Sequence, residues 1–325
     1  MAIDEAMLER HSRHRDEALG ISETFVQPRL GSGTTVGVVS RPLGMAQPLG
    51  MAQPLGWVIC PSFAMEQIHL GRMEVGLARA ISAAGFPVLR YHGQGYGDSE
   101  LGMRHADLSS HVADARDAVA LMAGVEGVEQ VGVLGARFGG LVAGLVADDG
   151  DLPFMALVEP VIRGAQYMRD FLRTQVFFDL VGTSDNGGSP GMEKLRDAIA
   201  SRGWADIRGF KLSAQAYEEI SGVNLLERMR RFHGSSFVLG VSRTDRFAPG
   251  LQALTDVLRQ MGGDVEQDVV QDRLASNFGQ HHHRNEAGNK KTDIQFGLYQ
   301  EVTSKVAAWI GRRIVPGDPT REAPA

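Results

Sequence analysis

One cysteine, Cys60, occurs in 325 residues. A single thiol builds no intrachain disulfide framework, and such sparing use fits a reducing compartment. Long apolar runs are also missing: no segment approaches the roughly 18 uncharged apolar residues of a membrane helix. The first twenty residues, MAIDEAMLERHSRHRDEALG, are charged and carry no apolar signal core. A cytoplasmic protein without a membrane span is therefore expected. Basic runs are absent and the net charge of −6 is mild, which argues against nucleic acid as a partner. No phosphate-binding fingerprint appears either. GQGYG at 93–97 follows a candidate strand, but G-x-G-x-x-G is incomplete and no P-loop lysine is present, so no cofactor is expected.

What remains is the composition of a globular chain, with 43% hydrophobic and 22% charged residues. Two candidate strands, 23–30 and 34–41, meet at Gly31-Ser32-Gly33 and predict a hairpin. PLGMAQ follows at 42–47 and again at 48–53, a duplicated loop segment too short for a solenoid. Strands and helices then alternate. WVICPSF (57–63) is apolar, 69–85 has helical spacing, and 86–100 is a strand entering a glycine-rich loop. A capped helix at 107–124, the strand QVGVLG (130–135), a helix from 139 and the strand FMALVEPVI (154–162) come next. This rhythm predicts an α/β fold with a mostly parallel sheet and helices on both faces.

Residues 163–230 break the alternation and read as a mostly helical cap insertion. The predicted core therefore comprises 21–162 and 231–312, with an N-terminal segment at 1–20 and a disordered tail at 313–325. The core resumes with SSFVLGVS (235–242), a helix at 251–263 and a strand at 264–270. The polar loop SNFGQHHHRNEAGNKK precedes the last helix.

Within this frame VGVLGARFGGLVAGLVA, at 131–147, runs from an apolar strand through a glycine-flanked turn into an apolar helix. That is the layout of a nucleophile elbow, G-x-S-x-G, in which a strained turn presents an attacking side chain. The central residue here is Arg137, between Gly135 and Gly139. A guanidinium is always protonated and carries only donors, so it forms no acyl-enzyme.

Four pieces together resemble the α/β-hydrolase superfamily over about 20–312: the elbow, WVICPSFAME after the third strand of that fold, YHGQGYGDSE, and SRTDRF at the end of a late strand. GARFGG, EPVIRGAQYMRDFLR and RGFKLSAQAYEEI resemble most the serine-aminopeptidase-like group that includes the exosortase-system-associated hydrolases, one branch of which carries an elbow arginine. The resemblance implies an α/β-hydrolase fold with a helical cap. It also implies a triad acid at Asp245, and a histidine at His281, His282 or His283 before the final helix.

The residues themselves leave several readings open. Arg137 sits at a helix N-terminus, where a cation needs a negative partner. Glu159, ending the adjacent strand, and Asp245 are the internal candidates for that partner. A ligand carboxylate, phosphate or developing oxyanion, held also by backbone N–H groups near Ser62 and Phe63, is the external one. Phe138 and His92 complete the expected substrate-binding set with Ser62, Phe63 and Glu159. The His281–His283 run reads as a solvated loop or as the source of one triad-like imidazole. Three consecutive loop positions do not converge on one ion, so no metal is expected.

Three functions follow. The chain acts on an acyl, ester or other carboxyl-derived small molecule by a non-serine mechanism, with Arg137 holding an anionic group and Asp245 and one histidine as acid–base groups. Alternatively it is a non-catalytic binding or accessory protein of a biosynthetic or export pathway. In the third, a salt bridge plugs the old pocket and the role is structural. The oligomeric state is left open.

Overall fold

The computed structural model describes residues 12–44, 55–182, 192–272 and 290–314. The duplicated PLGMAQ segment beyond residue 44, the three consecutive histidines and the tail from 315 lie outside them. Among the described residues, nine strands form one sheet in the order β1-β2-β5-β7-β6-β8-β9-β12-β13. The antiparallel edge is built by β1 (Arg13–Asp16), β2 (Ile21–Val26) and β5 (Gly37–Pro42). The predicted hairpin is present as β2 and β5, with a two-residue pair at its tip, β3 (Arg29–Leu30) and β4 (Gly33–Thr34). β1 adds a strand from within the segment read as an N-terminal extension.

The parallel part consists of β7 (Val88–Tyr91), β6 (Leu55–Cys60), β8 (Gln130–Ala136), β9 (Phe154–Val158), β12 (Ser235–Ser242) and β13 (Asp264–Gln271). LGWVIC of β6 is buried at every position, as a central strand covered on both faces requires. Register aligns Cys60 with Gly135 and Ala136 with Val158, so β6, β8 and β9 end side by side. Ligands of open α/β sheets bind at this carboxyl end.

α1 (Met65–Ala83) and α9 (Lys290–Ile314) cover one face. α9 packs on the sheet through Trp309, which meets Trp57 of β6 edge-on at 6.1 Å and stacks on Phe237 of β12 at 5.6 Å. α2 (Leu108–Ala123), α3 (Phe138–Gly150) and α8 (Pro249–Gln260) cover the other face. Asp107 caps α2 in a reciprocal box with Ser110.

The segment after β9 holds α4 (Gly164–Gly182), α5 (Met192–Arg202), β10 (Trp204–Ile207), β11 (Phe210–Ser213), α6 (Ala214–Gly222) and α7 (Leu225–Arg228). Its mostly helical reading gives way at 204–213, where β10 and β11 pair antiparallel. Arg208 and Gly209 both take positive φ, 55° and 85°, the geometry of a two-residue hairpin turn. The insertion reaches the core through aromatic rings: Phe210 lies 5.1 Å from Phe63, and Tyr167 stacks on Phe138 at 6.0 Å.

Candidate functional site

Two strand-to-helix corners meet at the end of the sheet. At the first, β8 turns into α3 through Arg137, whose φ of 53° and ψ of −119° form the sharp elbow that the glycines announced. Those glycines are required by contact. A Cβ on Gly135 would collide with the Gly139 carbonyl, and one on Gly139 with the Cys60 carbonyl. At the second corner β6 turns into α1 through Ala64, with nearly the same angles, φ 50° and ψ −126°. The helix spacing at 69–85 thus extends back to Met65, and Glu66 falls in the first turn of α1, where its charge favours the helix dipole.

Arg137 is the N-cap residue of α3, a place where a cation is disfavoured. Glu66 supplies the compensation: Arg137 Nε donates to Glu66 Oε1 at 3.2 Å, with the arginine side chain 19% exposed and the glutamate 4%. Tyr167 from α4 donates its hydroxyl to Glu66 Oε2 at 3.0 Å. The Phe138 backbone N–H supports the same carboxylate. Burial pushes the Glu66 carboxyl up, and these three donors oppose it without cancelling it. Burial works against the charge of Arg137, yet Glu66 and then Glu159 outweigh it and hold the guanidinium above its ordinary range.

The expected partners of Arg137 are thereby corrected. The carboxylate in contact is Glu66, not Glu159 or Asp245. Glu159 acts on Arg137 through space, because its Oε2 is turned to accept from the Val241 N–H at 2.8 Å. Burial raises the Glu159 carboxyl. Asp245 is exposed on the turn after β12 and shares a different cleft with Asp268, Asp272 and Lys305. His281, His282 and His283 lie outside the described residues.

A pocket of about 490 Å³ opens beside the elbow, lined by Arg137, Glu159, Arg163, Tyr167 and Asp170 among others. Only Nε of Arg137 is hydrogen-bonded, so the terminal nitrogens of its guanidinium are without such a partner among the described residues. The remaining sequence candidates fall elsewhere. Ser62 is buried and donates to the Ala136 carbonyl at 2.8 Å, tying the two corners together. Phe63 and Phe138 are fully buried and in ring contact at 5.1 Å, below the elbow. His92 lines a separate cleft against α1. Cys60 is buried, and desolvation pushes its thiol up to about 12, which leaves it inert. No cluster of metal-ligating side chains occurs among the described residues.

Glu66 and Tyr167 are the residues at the elbow that sequence reasoning passed over. Glu66 closes the WVICPSFAME stretch, and a carboxylate directly after an apolar strand end was its one signal. Tyr167 gave none beyond its place on an amphipathic helix. His111 also escaped notice: it is buried between Phe63 and Phe138, and desolvation holds its imidazole down at about 4.

No protein-family model matches the chain, and no curated protein matches it in sequence. Solved structures do match in shape. Est1E from Butyrivibrio proteoclasticus, solved with ferulic acid bound, superposes with a TM-score of 0.56 at 13% identity, over 89% of this chain and 99% of its own. An esterase of Pyrococcus furiosus matches with a TM-score of 0.56 at 15% identity, over 93% of this chain and 94% of its own. The bacterial brefeldin A esterase matches with a TM-score of 0.54 at 16% identity, over 93% and 77%. With its mostly parallel sheet, its elbow corner and these neighbours, the chain has the α/β-hydrolase fold.

Proposed function

We propose that the elbow pocket binds an acyl or other carboxyl-derived small molecule through an anionic group held by Arg137, without forming an acyl-enzyme. One observation carries this reading: the Glu66 carboxylate accepts from Arg137 Nε and from the Tyr167 hydroxyl, and so fixes the guanidinium at the mouth of the pocket. In hydrolases of this fold the N–H after the nucleophile stabilises the oxyanion. Here an internal carboxylate, Glu66, stands beside the elbow and orients the guanidinium. The terminal nitrogens of Arg137 are left to meet a ligand anion, bidentate recognition being what this group does best.

A second reading keeps chemistry, and Glu159 is the observation in its favour. Its raised carboxyl lines the same pocket as Arg137. In this reading Glu159 takes a proton from a water whose oxygen attacks the ester carbon, and Arg137 steadies the developing oxyanion. Collapse breaks the bond to the leaving oxygen, which receives the proton back from Glu159, giving acid and alcohol. A likeness to the serine-aminopeptidase-like group and a cytoplasmic location are part of both readings, and an accessory role in biosynthesis or export goes with binding alone.

The experiment pairs two measurements on the full chain. Aliphatic and aromatic carboxylates are screened by thermal shift, and p-nitrophenyl esters and acyl thioesters by turnover. Binding alone predicts carboxylate stabilisation that Arg137→Ala removes, with no turnover and no fluorophosphonate labelling. Turnover that vanishes in Glu159→Gln moves the assignment to hydrolysis. If carboxylates stabilise Arg137→Ala as strongly as the parent, both readings fall.

A further inference from the structure

Glu66 and an anion held at the elbow would share one cation. Glu66 Oε1 accepts from Arg137 Nε at 3.2 Å, and among the described residues the terminal nitrogens of Arg137 are left for a ligand. A guanidinium is planar and rigid, so an anion on those nitrogens stands only its width from the Glu66 carboxylate. Both partners are mostly buried, with side chains 19% and 4% exposed, so water screens the repulsion poorly. Glu159 lines the same pocket and also acts on Arg137 through space. Three negative groups would then surround one mostly buried guanidinium. Arg163 and Asp170 also line the pocket and add one charge of each sign. Crowded like charges are relieved when one of them takes a proton.

Hydrogen bonding decides which one. Glu159 Oε2 accepts from the Val241 N–H at 2.8 Å, and a backbone N–H only donates, which favours the ionised carboxylate. Glu66 Oε2 accepts from the Tyr167 hydroxyl at 3.0 Å. A hydroxyl donates or accepts, so Tyr167 suits Glu66 in either protonation state. Among the described residues, the titratable groups facing Glu66 are Arg137 from the β8 corner, Tyr167 from α4 and Tyr96 from the loop after β7. Burial already pushes the Glu66 carboxyl up, against the pull of Arg137 and Tyr167.

We propose that an anion enters the elbow pocket together with a proton, which Glu66 receives on Oε2. The proton comes from solvent, the Tyr167 hydroxyl turns from donor to acceptor, and the charge of Arg137 passes to the ligand. The inference rests on the elbow reading above. Because the bound form carries one more proton, affinity rises as pH falls, by up to about tenfold per pH unit.

Titration calorimetry on the full chain tests it with benzoate and octanoate between pH 6 and 8, where both stay ionised. Running each titration in phosphate and in Tris counts the protons taken up. The parent should take up protons on binding and lose affinity several-fold per unit as pH rises. Glu66→Gln should bind about tenfold more tightly than the parent at pH 8, with no slope. Glu159→Gln should keep the slope. Should Glu66→Gln fail to fold, Tyr167→Phe serves instead: losing the Oε2 donor raises the Glu66 carboxyl further, so the affinity profile should move to higher pH by about one unit. Binding without proton uptake would overturn the inference and leave the elbow reading standing. A slope that survives Glu66→Gln, a slope lost in Glu159→Gln, or a Tyr167→Phe profile that overlays the parent would overturn it as well. If neither carboxylate binds the parent at any pH, the elbow reading falls and this inference with it.

Discussion

The two corners, at Ala64 and at Arg137, share a backbone conformation and differ in what they present. Positive φ at a residue with a Cβ costs about 1–3 kcal/mol and persists only where the surroundings impose it. At the β8 corner the surroundings are the tight backbone contacts around Gly135 and Gly139. At the β6 corner the Ala64 N–H is held by the Tyr96 hydroxyl at 2.9 Å. The Ala64 corner contributes a methyl group and places Glu66 two residues on. The Arg137 corner contributes a cation at a helix N-terminus. Each makes the other tolerable, because the charge out of place at one is answered by the charge well placed at the other. The geometry of an elbow is thus separable from its chemistry.

The largest effect should come from breaking that exchange. Glu66→Gln leaves a mostly buried guanidinium without its counter-charge and should cost about 3–5 kcal/mol in urea unfolding. Arg137→Met alone strands Glu66 and should cost a similar amount. The double variant should recover much of the loss, giving a coupling energy above about 1.5 kcal/mol. Additive single effects would mean that the two corners are not joined by this pair.

A middle-sized effect tests the ring that both corners rest on. The folded imidazole of His111 titrates at about 4 because burial disfavours its charge. The sign follows: between pH 6.5 and 4 the unfolded chain binds a proton here that the folded chain refuses, so stability is lost as pH falls through that window. Glu66, Glu74 and Asp114, all raised by burial, slope the opposite way in any variant. The contribution of His111 is therefore read as a difference. Against the parent, His111→Met should gain about 1–3 kcal/mol of relative stability on going from pH 7 to pH 4. Parallel pH curves for the two proteins would remove the imidazole from the account.

The smallest effect sharpens the comparison. Ala64→Gly relieves a strained φ and should stabilise the chain, or leave it unchanged within about 1 kcal/mol, since glycine also gains unfolded-state freedom. A marked loss on calorimetry would show that the Ala64 methyl group packs rather than merely survives.

Much of this was legible in the chain. The alternation of apolar strands with amphipathic helices marked the parallel sheet, and the two glycines around Arg137 marked the elbow. The hairpin of the insertion was less visible, because FKLS and WADI are short and stand next to helix-forming residues. The start of α1 was also hidden, since PSFAME has neither a capping side chain nor periodic spacing, and its turn depends on Ala64 being forced into the left-handed half of backbone space. Missing that turn hid Glu66.

By itself, then, the sequence determined that the turn at 135–139 is an elbow and that its residue attacks nothing, because glycine sterics and guanidinium chemistry are local properties. Only the tertiary structure decided which negative charge Arg137 holds. Glu66 and Arg137 are 71 positions apart and meet because β6 and β8 are adjacent in the sheet and both strands turn sharply at the same end. Glu159, far nearer in the chain, spends its carboxylate oxygen on the Val241 N–H instead. Ion pairing depends on where side chains arrive in space, and that depends on strand order and register, which no local stretch encodes.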